Sequence, residues 1–318
     1  MNPSIDIIIV NWNAGLLLRN CLKSIVTASR DGFSLGRVVV VDNGSSDDSL
    51  VDIDKLSLPL DIIRNSVNRG FGAACNQGAA ACDAPYLLFL NPDTRLFENS
   101  LVVPHAYLED PSNHDAGICG IQLIDEKGHV ARNCAHFPSL MRFAVQSIGL
   151  NKIQRFGGAG VHMFEWDHLS DRSVDHVIGA FFFMRRSLYN ELNGFDERFF
   201  VYLEDIDFSL RAKRAGWMSV YITGAQAFHA EGGTSRQVMA KRLFYSLRSR
   251  LQYGFKHFSP SRACALLLIT LFVEPLTRLV FLLLSGNISD IRNTLSGFSL
   301  LYRDLSNIIG QSHGDSGE

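Results

Sequence analysis

No two cysteines stand in a C-x-x-C spacing anywhere in the 318 residues. The six that occur (Cys21, Cys75, Cys82, Cys119, Cys134 and Cys264) are scattered among small and apolar neighbours, which excludes a zinc-ribbon type of site and a disulfide framework. Reduced, buried thiols and a cytosolic setting are therefore expected. Basic charge is not in excess either. The formal net charge is −2, so nucleic acid is not an expected partner, and any contact with anionic groups must come from a local patch. The N-terminus lacks a basic segment, and its first apolar run is strand-sized rather than signal-sized, so no export is expected. No glycine-rich, lysine-bearing loop follows that run, which removes support for a nucleotidyltransferase. With 47% hydrophobic and 19% charged residues, the chain is not disordered, and its length suits one large α/β domain with an appendage or two modest domains.

The pattern that is present alternates strand and helix. Ile7-Ile8-Ile9-Val10, Val38-Val39-Val40-Val41, Ile62-Ile63 and Tyr86-Leu87-Leu88-Phe89-Leu90 are short apolar runs, as expected of strands covered on both faces. Helical spacing of Leu16, Leu17, Cys21, Leu22 and Ile25, and the small-residue stretch Gly72 to Ala81, fall between them. This pace predicts a doubly wound, mostly parallel sheet. A further buried strand is expected over Val177 to Met184, a short helix from Ser187, and a strand at Ser219 to Ile222. Between residues 100 and 175, Phe137-Pro138 and Gly157-Gly158-Ala159-Gly160 predict loops and a mobile lid.

Ligands of such sheets bind beyond the carboxyl ends of the strands. Asn11-Trp12-Asn13, Asp42-Asn43-Gly44 and Asn91-Pro92-Asp93 each follow a strand there. Asp93, pinned by Pro92, reads either as a ligand for Mg2+ or Mn2+ or as an ordinary turn aspartate. Asp42 reads either as an acceptor for a nucleoside or as the cap of a following helix. Glu204, Asp205 and Asp207, with Arg211, Lys213, Arg214 and Gly216 behind them, describe a helix matched to its own dipole. A helix N-terminus also keeps a nearby carboxylate ionised, as a general base requires. His229 reads either as structural or as a ligand, with Gly232-Gly233-Thr234-Ser235 beside it as a loop approaching phosphate.

In order along the chain, Val10-Asn11-Trp12-Asn13, Val41-Asp42-Asn43-Gly44-Ser45-Ser46-Asp47, Asn68-Arg69-Gly70-Phe71-Gly72 with Asn76 and Gly78, Asn91-Pro92-Asp93, Gly194-Phe195-Asp196-Glu197, Glu204-Asp205-Ile206-Asp207 and His229 form an ordered set. That set, over roughly residues 5 to 235, resembles the family 2 glycosyltransferases of the GT-A fold, and within them the rhamnosyltransferase-like branch. The resemblance implies that Asp42 contacts the pyrimidine base, with Asn11 and Asn13 lining the same pocket. Asn68, Arg69, Gly70, Phe71 and Gly72 would approach the nucleotide, together with Asn76. Asp93 and His229 would bind Mn2+ or Mg2+, and Asp205 would be the base in an inverting attack. Acceptor-side candidates are Glu204, Asp207, Trp166 and Arg248. The implied activity is transfer of one sugar, rhamnose from dTDP-rhamnose, to a hydroxyl of a glycan or polyprenyl-diphosphate-linked acceptor in bacterial surface polysaccharide synthesis. UDP-galactofuranose or UDP-N-acetylglucosamine as donor, or a non-catalytic nucleotide-sugar-binding module, remain open. Asn91 stands where the fold's Asp-x-Asp motif has its first acid, which predicts modest metal affinity. The Gln-x-x-Arg-Trp motif of processive members is absent, which favours single addition.

Residues 1–235 are expected to form the catalytic domain and 236–318 a helical tail. From Arg236 to Arg262 there are seven basic residues (Arg236, Lys241, Arg242, Arg248, Arg250, Lys256 and Arg262), no acidic ones, and interleaved aromatics. Ala263 to Leu284 is apolar but interrupted by Glu274-Pro275 and Arg278, so neither half reaches a spanning length, and Glu274 can pair with Arg278 on a helix. This reads as a peripheral attachment to the inner face of the cell membrane, or as a helical appendage packed on the catalytic domain or on a second copy in a homo-oligomer.

Overall fold

The structure, a computed structural model, describes residues 3–150, 159–230, 239–284 and 288–313. Gly157-Gly158, Gly232-Gly233-Thr234-Ser235 and Arg236 lie outside the described residues. The chain divides into two compact units, one of Met1–His136, Trp166–Glu197 and Glu204–Thr234, the other of Phe137–Glu165, Arg198–Leu203 and Ser235–Glu318. The second unit thus also draws in two segments that precede the tail.

The strands are β1 (Ser4–Asn11), β2 (Ser34–Asp42), β3 (Leu60–Arg64), β4 (Tyr86–Leu90), β5 (Thr94–Leu96), β6 (Ala116–Ile124), β7 (Arg172–Val174), β8 (Phe181–Arg185) and β9 (Met218–His229). The helices are α1 (Leu16–Thr27), α2 (Phe71–Ala80), α3 (Val102–Glu109), α4 (Leu140–Ser147), α5 (Arg186–Glu191), α6 (Glu204–Arg214), α7 (Met239–His257), α8 (Pro260–Leu268), α9 (Glu274–Leu284) and α10 (Ile288–His313).

The first unit is built on one sheet of order β3-β2-β1-β4-β8-β6-β9-β5, with β7 paired to β9. Strands β1 to β4 are mutually parallel, as the alternation predicts. Beyond β4 the sheet is mixed: β8 runs antiparallel to both neighbours, and β5 and β7 run antiparallel to β9. Val38 to Val41 and Ile7 to Ile9 are buried, each side chain contributing roughly 1.5–3 kcal/mol by leaving water. A carboxylate, Asp6, is buried among them. It is satisfied by three backbone N–H groups: Arg37 donates to Oδ1, and Asp83 and Ala84 donate to Oδ2.

Three expectations change here. The buried strand expected at 177–184 begins only at Phe181. No α-helix follows Asp42; Ser45 N–H bonds Asp42 Oδ2 in a turn, and a short 3-10 turn at Ile53–Lys55 is all that follows before β3. Of the six cysteines, five are buried and unpaired, but Cys264 is exposed.

In the second unit, α8 and α9 are joined by a π-helical segment, Ile269–Val273. The helical run Pro260–Leu284 is therefore continuous and, by length and composition, sufficient to cross a membrane, although the Pro275 interruption predicts otherwise. Proline has no N–H to return to the carbonyl of Leu271, and the hydroxyl of Tyr302 donates to that carbonyl at 2.6 Å instead. Glu274 is fully buried, and its carboxylate is held by Arg250, by Ser147 Oγ (2.8 Å) and by the expected Arg278 (2.9 Å). Outward, Leu268, Phe272, Leu276, Val280 and Leu284 recur every fourth residue and are exposed.

Candidate active site

The site residues arise at strand ends. The hairpin-like return from β4 through Asn91-Pro92-Asp93 leads into β5, whose Thr94 pairs with His229 at the end of β9. Ala230 N–H donates to the Asp93 carbonyl at 3.2 Å, so this pairing sets the two side chains together. His229 Nε2 lies 3.3 Å from Asp93 Oδ1, with only 9% and 12% of the two side chains exposed. Asp93 Oδ1 is buried and makes no hydrogen bond. A buried acceptor without a partner, next to an imidazole nitrogen, is a donor set that fits a divalent cation. Among the described residues no third His, Cys, Asp or Glu joins them, so the rest of a coordination shell would come from ligand oxygens and water.

Asp205 is anchored next to the segment that anchors the Asp93 loop. Its Oδ2 accepts the N–H of Gly179 at 2.9 Å, while the next carbonyl, that of Ala180, accepts Asn91 N–H (3.0 Å) and the Thr94 hydroxyl (3.3 Å). The anchors of Asp205 and of the Asp93 loop are thus consecutive residues. Immediately before α6, Tyr202 (φ 70°) and Leu203 (φ 66°) are both left-handed, a conformation that costs non-glycine residues of order 1–3 kcal/mol each.

The three acids of α6 have different surroundings. Asp207 is fully buried and paired with Arg211 at 2.8 Å, which makes it structural rather than acceptor-facing. Glu204 is buried with Oε2 unpartnered; burial, and then the Asp205 charge, push its carboxyl well above the usual range. Asp205 keeps 17% of its side chain exposed. Burial raises its carboxyl, but His176 and the N–H groups of Gly179 and Ile206 outweigh this and hold it below the usual range. Asp205 is therefore the ionised, reachable acid of the three. His176 carries no sequence motif and was not expected; only the Asp205–Ser209 spacing of one helical turn, with both side chains bonded to it, hints at a partner.

On β1 and β2, Asn11 pairs in register with Asp42, and Asn11 Nδ2 donates to Asp42 Oδ1 at 2.8 Å. Asn11 is itself fully buried and orients Asp42. Asn13 is left-handed (φ 50°), and its Oδ1 accepts Ser46 N–H at 2.8 Å. The Asn68–Gly72 segment is tied to the same edge: Asn43 donates to Asn68 Oδ1 and the Gly70 carbonyl (3.0 Å each) and accepts Arg69 N–H, just before Phe71 and Gly72 begin α2. Asn76 departs from its expected role. Its amide accepts from Tyr189 and Phe195 and donates to the Phe195 carbonyl and Glu197, so it clamps the 195–197 loop. Trp166 stacks on His168 with ring centroids 4.1 Å apart and meets Tyr221 edge-on. Arg248 belongs to the second unit, where Asp304 accepts from its Nε at 2.8 Å.

A family model described as "Glycosyl transferase family 2" matches residues 6–192. Over 255 residues the chain is 28% identical to an N-acetylglucosaminyl-diphospho-decaprenol L-rhamnosyltransferase of Mycobacterium tuberculosis (strain ATCC 25618 / H37Rv), covering 76% of this chain and 81% of the relative. It is 31% identical over 173 residues to the rhamnosyltransferase WbbL of Escherichia coli (strain K12), spanning 54% of this chain and 62% of that one. Among solved structures, the mannosyltransferase PcManGT from Pyrobaculum calidifontis in complex with GDP-Man and Mn2+ aligns at a TM-score of 0.54, over 98% of this chain and 88% of that one, at 14% identity. That likeness is one of fold.

Proposed function

Since the chain belongs to glycosyl transferase family 2 and is a glycosyltransferase of the GT-A fold, we propose that it transfers a single rhamnose from dTDP-rhamnose, with inversion, to a hydroxyl of a lipid-linked acceptor. The observation that carries this reading is the convergence of Asp93 and His229 at one strand edge where Asp205 is anchored one residue away. Asp205, ionised and partly exposed, takes the proton of the acceptor hydroxyl as its oxygen attacks the anomeric carbon. The nucleoside diphosphate leaves from the opposite face of the sugar, which inverts the configuration. Asp93 and His229 would hold Mn2+ or Mg2+, which when bound would supply charge to neutralise a departing diphosphate. Asp42, held by Asn11, and the Asn43-tethered segment Asn68–Gly72 line the nucleotide side.

The name of one relative, an N-acetylglucosaminyl-diphospho-decaprenol L-rhamnosyltransferase, supports a lipid-linked acceptor. With a polyprenyl-diphosphate-linked acceptor the reaction would take place at the cytoplasmic face of a bacterial membrane, in surface polysaccharide synthesis. The exposed apolar stripe of Pro260–Leu284 supports peripheral attachment there.

A thermal-shift panel of nucleotide sugars with Mn2+ tests the reading, because a ligand that binds the native state raises its melting point. Selective stabilisation by dTDP-rhamnose is expected. Stabilisation by UDP-galactofuranose or UDP-N-acetylglucosamine instead would overturn the donor, and no response to any nucleotide sugar would overturn the site.

A further inference from the structure

His176 is 3% exposed and lies between two side chains of α6. Its Nε2 is 3.3 Å from Asp205 Oδ2, and its Nδ1 is 2.9 Å from Ser209 Oγ. Residues 205 and 209 are one helical turn apart, so α6 presents both to the same neighbour. An ionised carboxylate can only accept, so the imidazole carries a proton on Nε2, and Nδ1 is hydrogen-bonded to the Ser209 hydroxyl, which can donate or accept. The backbone of His176 is fixed as well, since its carbonyl accepts Ala135 N–H at 3.0 Å. Gly179 completes the cradle. A Cβ there would stand 3.0 Å from Asp205 Oδ2, so only glycine lets the backbone amide approach the carboxylate freely.

We infer that His176 is a positioning residue for the transfer reaction: oriented by Ser209, its Nε2–H holds the Asp205 carboxylate against the Gly179 amide in the rotamer that meets the acceptor hydroxyl. This rests on Asp205 being the base. Without the imidazole, the carboxylate keeps its chemistry but loses its aim, and misplacing a reacting group by about 1 Å costs roughly 100-fold in rate.

The two amide replacements of histidine separate positioning from packing. A glutamine amide reaches the Nε2 position, whereas an asparagine amide reaches only the Nδ1 position. Turnover of the full chain is measured with Mn2+, the nucleotide sugar selected in the thermal-shift panel and a prenyl-diphosphate-linked N-acetylglucosamine. His176→Phe and His176→Asn are expected to lower kcat about 100-fold while the donor KM stays within about twofold. His176→Gln is expected to recover at least about tenfold of that loss, and Ser209→Ala to lose about tenfold. Melting temperatures are recorded for each variant. Equal kcat for the Gln and Asn variants, a rise in KM without loss of kcat, or wild-type turnover in His176→Phe overturns the inference. Asp205→Asn is run alongside: retained turnover there overturns the base assignment itself, whereas an inactive Asp205→Asn beside an unaffected His176→Phe overturns only the role of His176.

Discussion

Glu204 and Asp205 are adjacent in the chain, yet burial raises one carboxyl well above its ordinary range, while the other, also raised by burial, is held below its range by His176 and then by the N–H groups of Gly179 and Ile206. The Glu204 shift has a consequence for stability. A carboxyl raised in the folded state binds more protons there than in the unfolded chain, so its favourable contribution is complete below pH 4.5 and is lost as pH climbs through the folded value. Glu204→Gln removes that loss. Its melting temperature is expected to match the wild type near pH 4.5 and to exceed it increasingly toward pH 8; a constant difference across that range would contradict the burial argument. At the proposed cation site, Asp93→Ala and His229→Ala are each expected to abolish the part of nucleotide-sugar stabilisation that depends on Mn2+, leaving any metal-independent part intact in the same melts. Asp93, His229 and Asp205 are each singled out in the sequence by a strand end or a helix start beside polar residues, but that they act together is what the family resemblance implies rather than what the spacing shows. His176 is not, since its role comes from tertiary packing against a helix that begins 28 residues later. The role of Asn76 is misread for the same reason: its amide is claimed by Tyr189, Phe195 and Glu197, more than a hundred positions downstream.

Among the elements, β1, β2 and β4 are readable because continuous apolar runs mark parallel strands buried on both faces, whereas the edge strand β3, none of whose residues is fully buried, is marked by Ile62-Ile63 alone. Strand β6 is not readable, as Gly117 and Gly120 break its apolar pattern. Gly120 is there for packing: a Cβ would stand 2.6 Å from Val177 Cβ. Strand β5 has only three residues, too few to carry a period, although it is what joins Asp93 to His229. The continuity of α8 into α9 is hidden by Pro275, because sequence alone shows the missing N–H but not the Tyr302 hydroxyl that serves the Leu271 carbonyl. Tyr302→Phe is expected to cost about 1 kcal/mol, measured by chemical denaturation. Arg250→Met, which strips a partner from buried Glu274, is expected to cost about 3–5 kcal/mol. A smaller cost for Arg250→Met than for Tyr302→Phe would contradict the network.

For the molecule as a whole, the division between catalytic sheet and helical tail is visible in composition, but the grouping of Phe137–Glu165 and Arg198–Leu203 with the tail is not, because both lie within the sequence of the first unit. The outward stripe on Pro260–Leu284 gives a prediction at this scale. Leu276→Asp with Val280→Asp, both exposed, is expected to leave the melting temperature unchanged and to reduce co-sedimentation with anionic vesicles. Unchanged sedimentation would remove the membrane-facing role of that surface.

The most direct measurement is turnover and donor affinity of Asp205→Asn, side by side with the wild type. Asparagine preserves the shape of the side chain and removes the proton acceptor, so nucleotide-sugar affinity within about twofold of the wild type and a rate lower by at least about 100-fold are predicted. A variant that still transfers sugar at near the wild-type rate would contradict the assignment of Asp205 as the base and, with it, the mechanism derived from this strand edge.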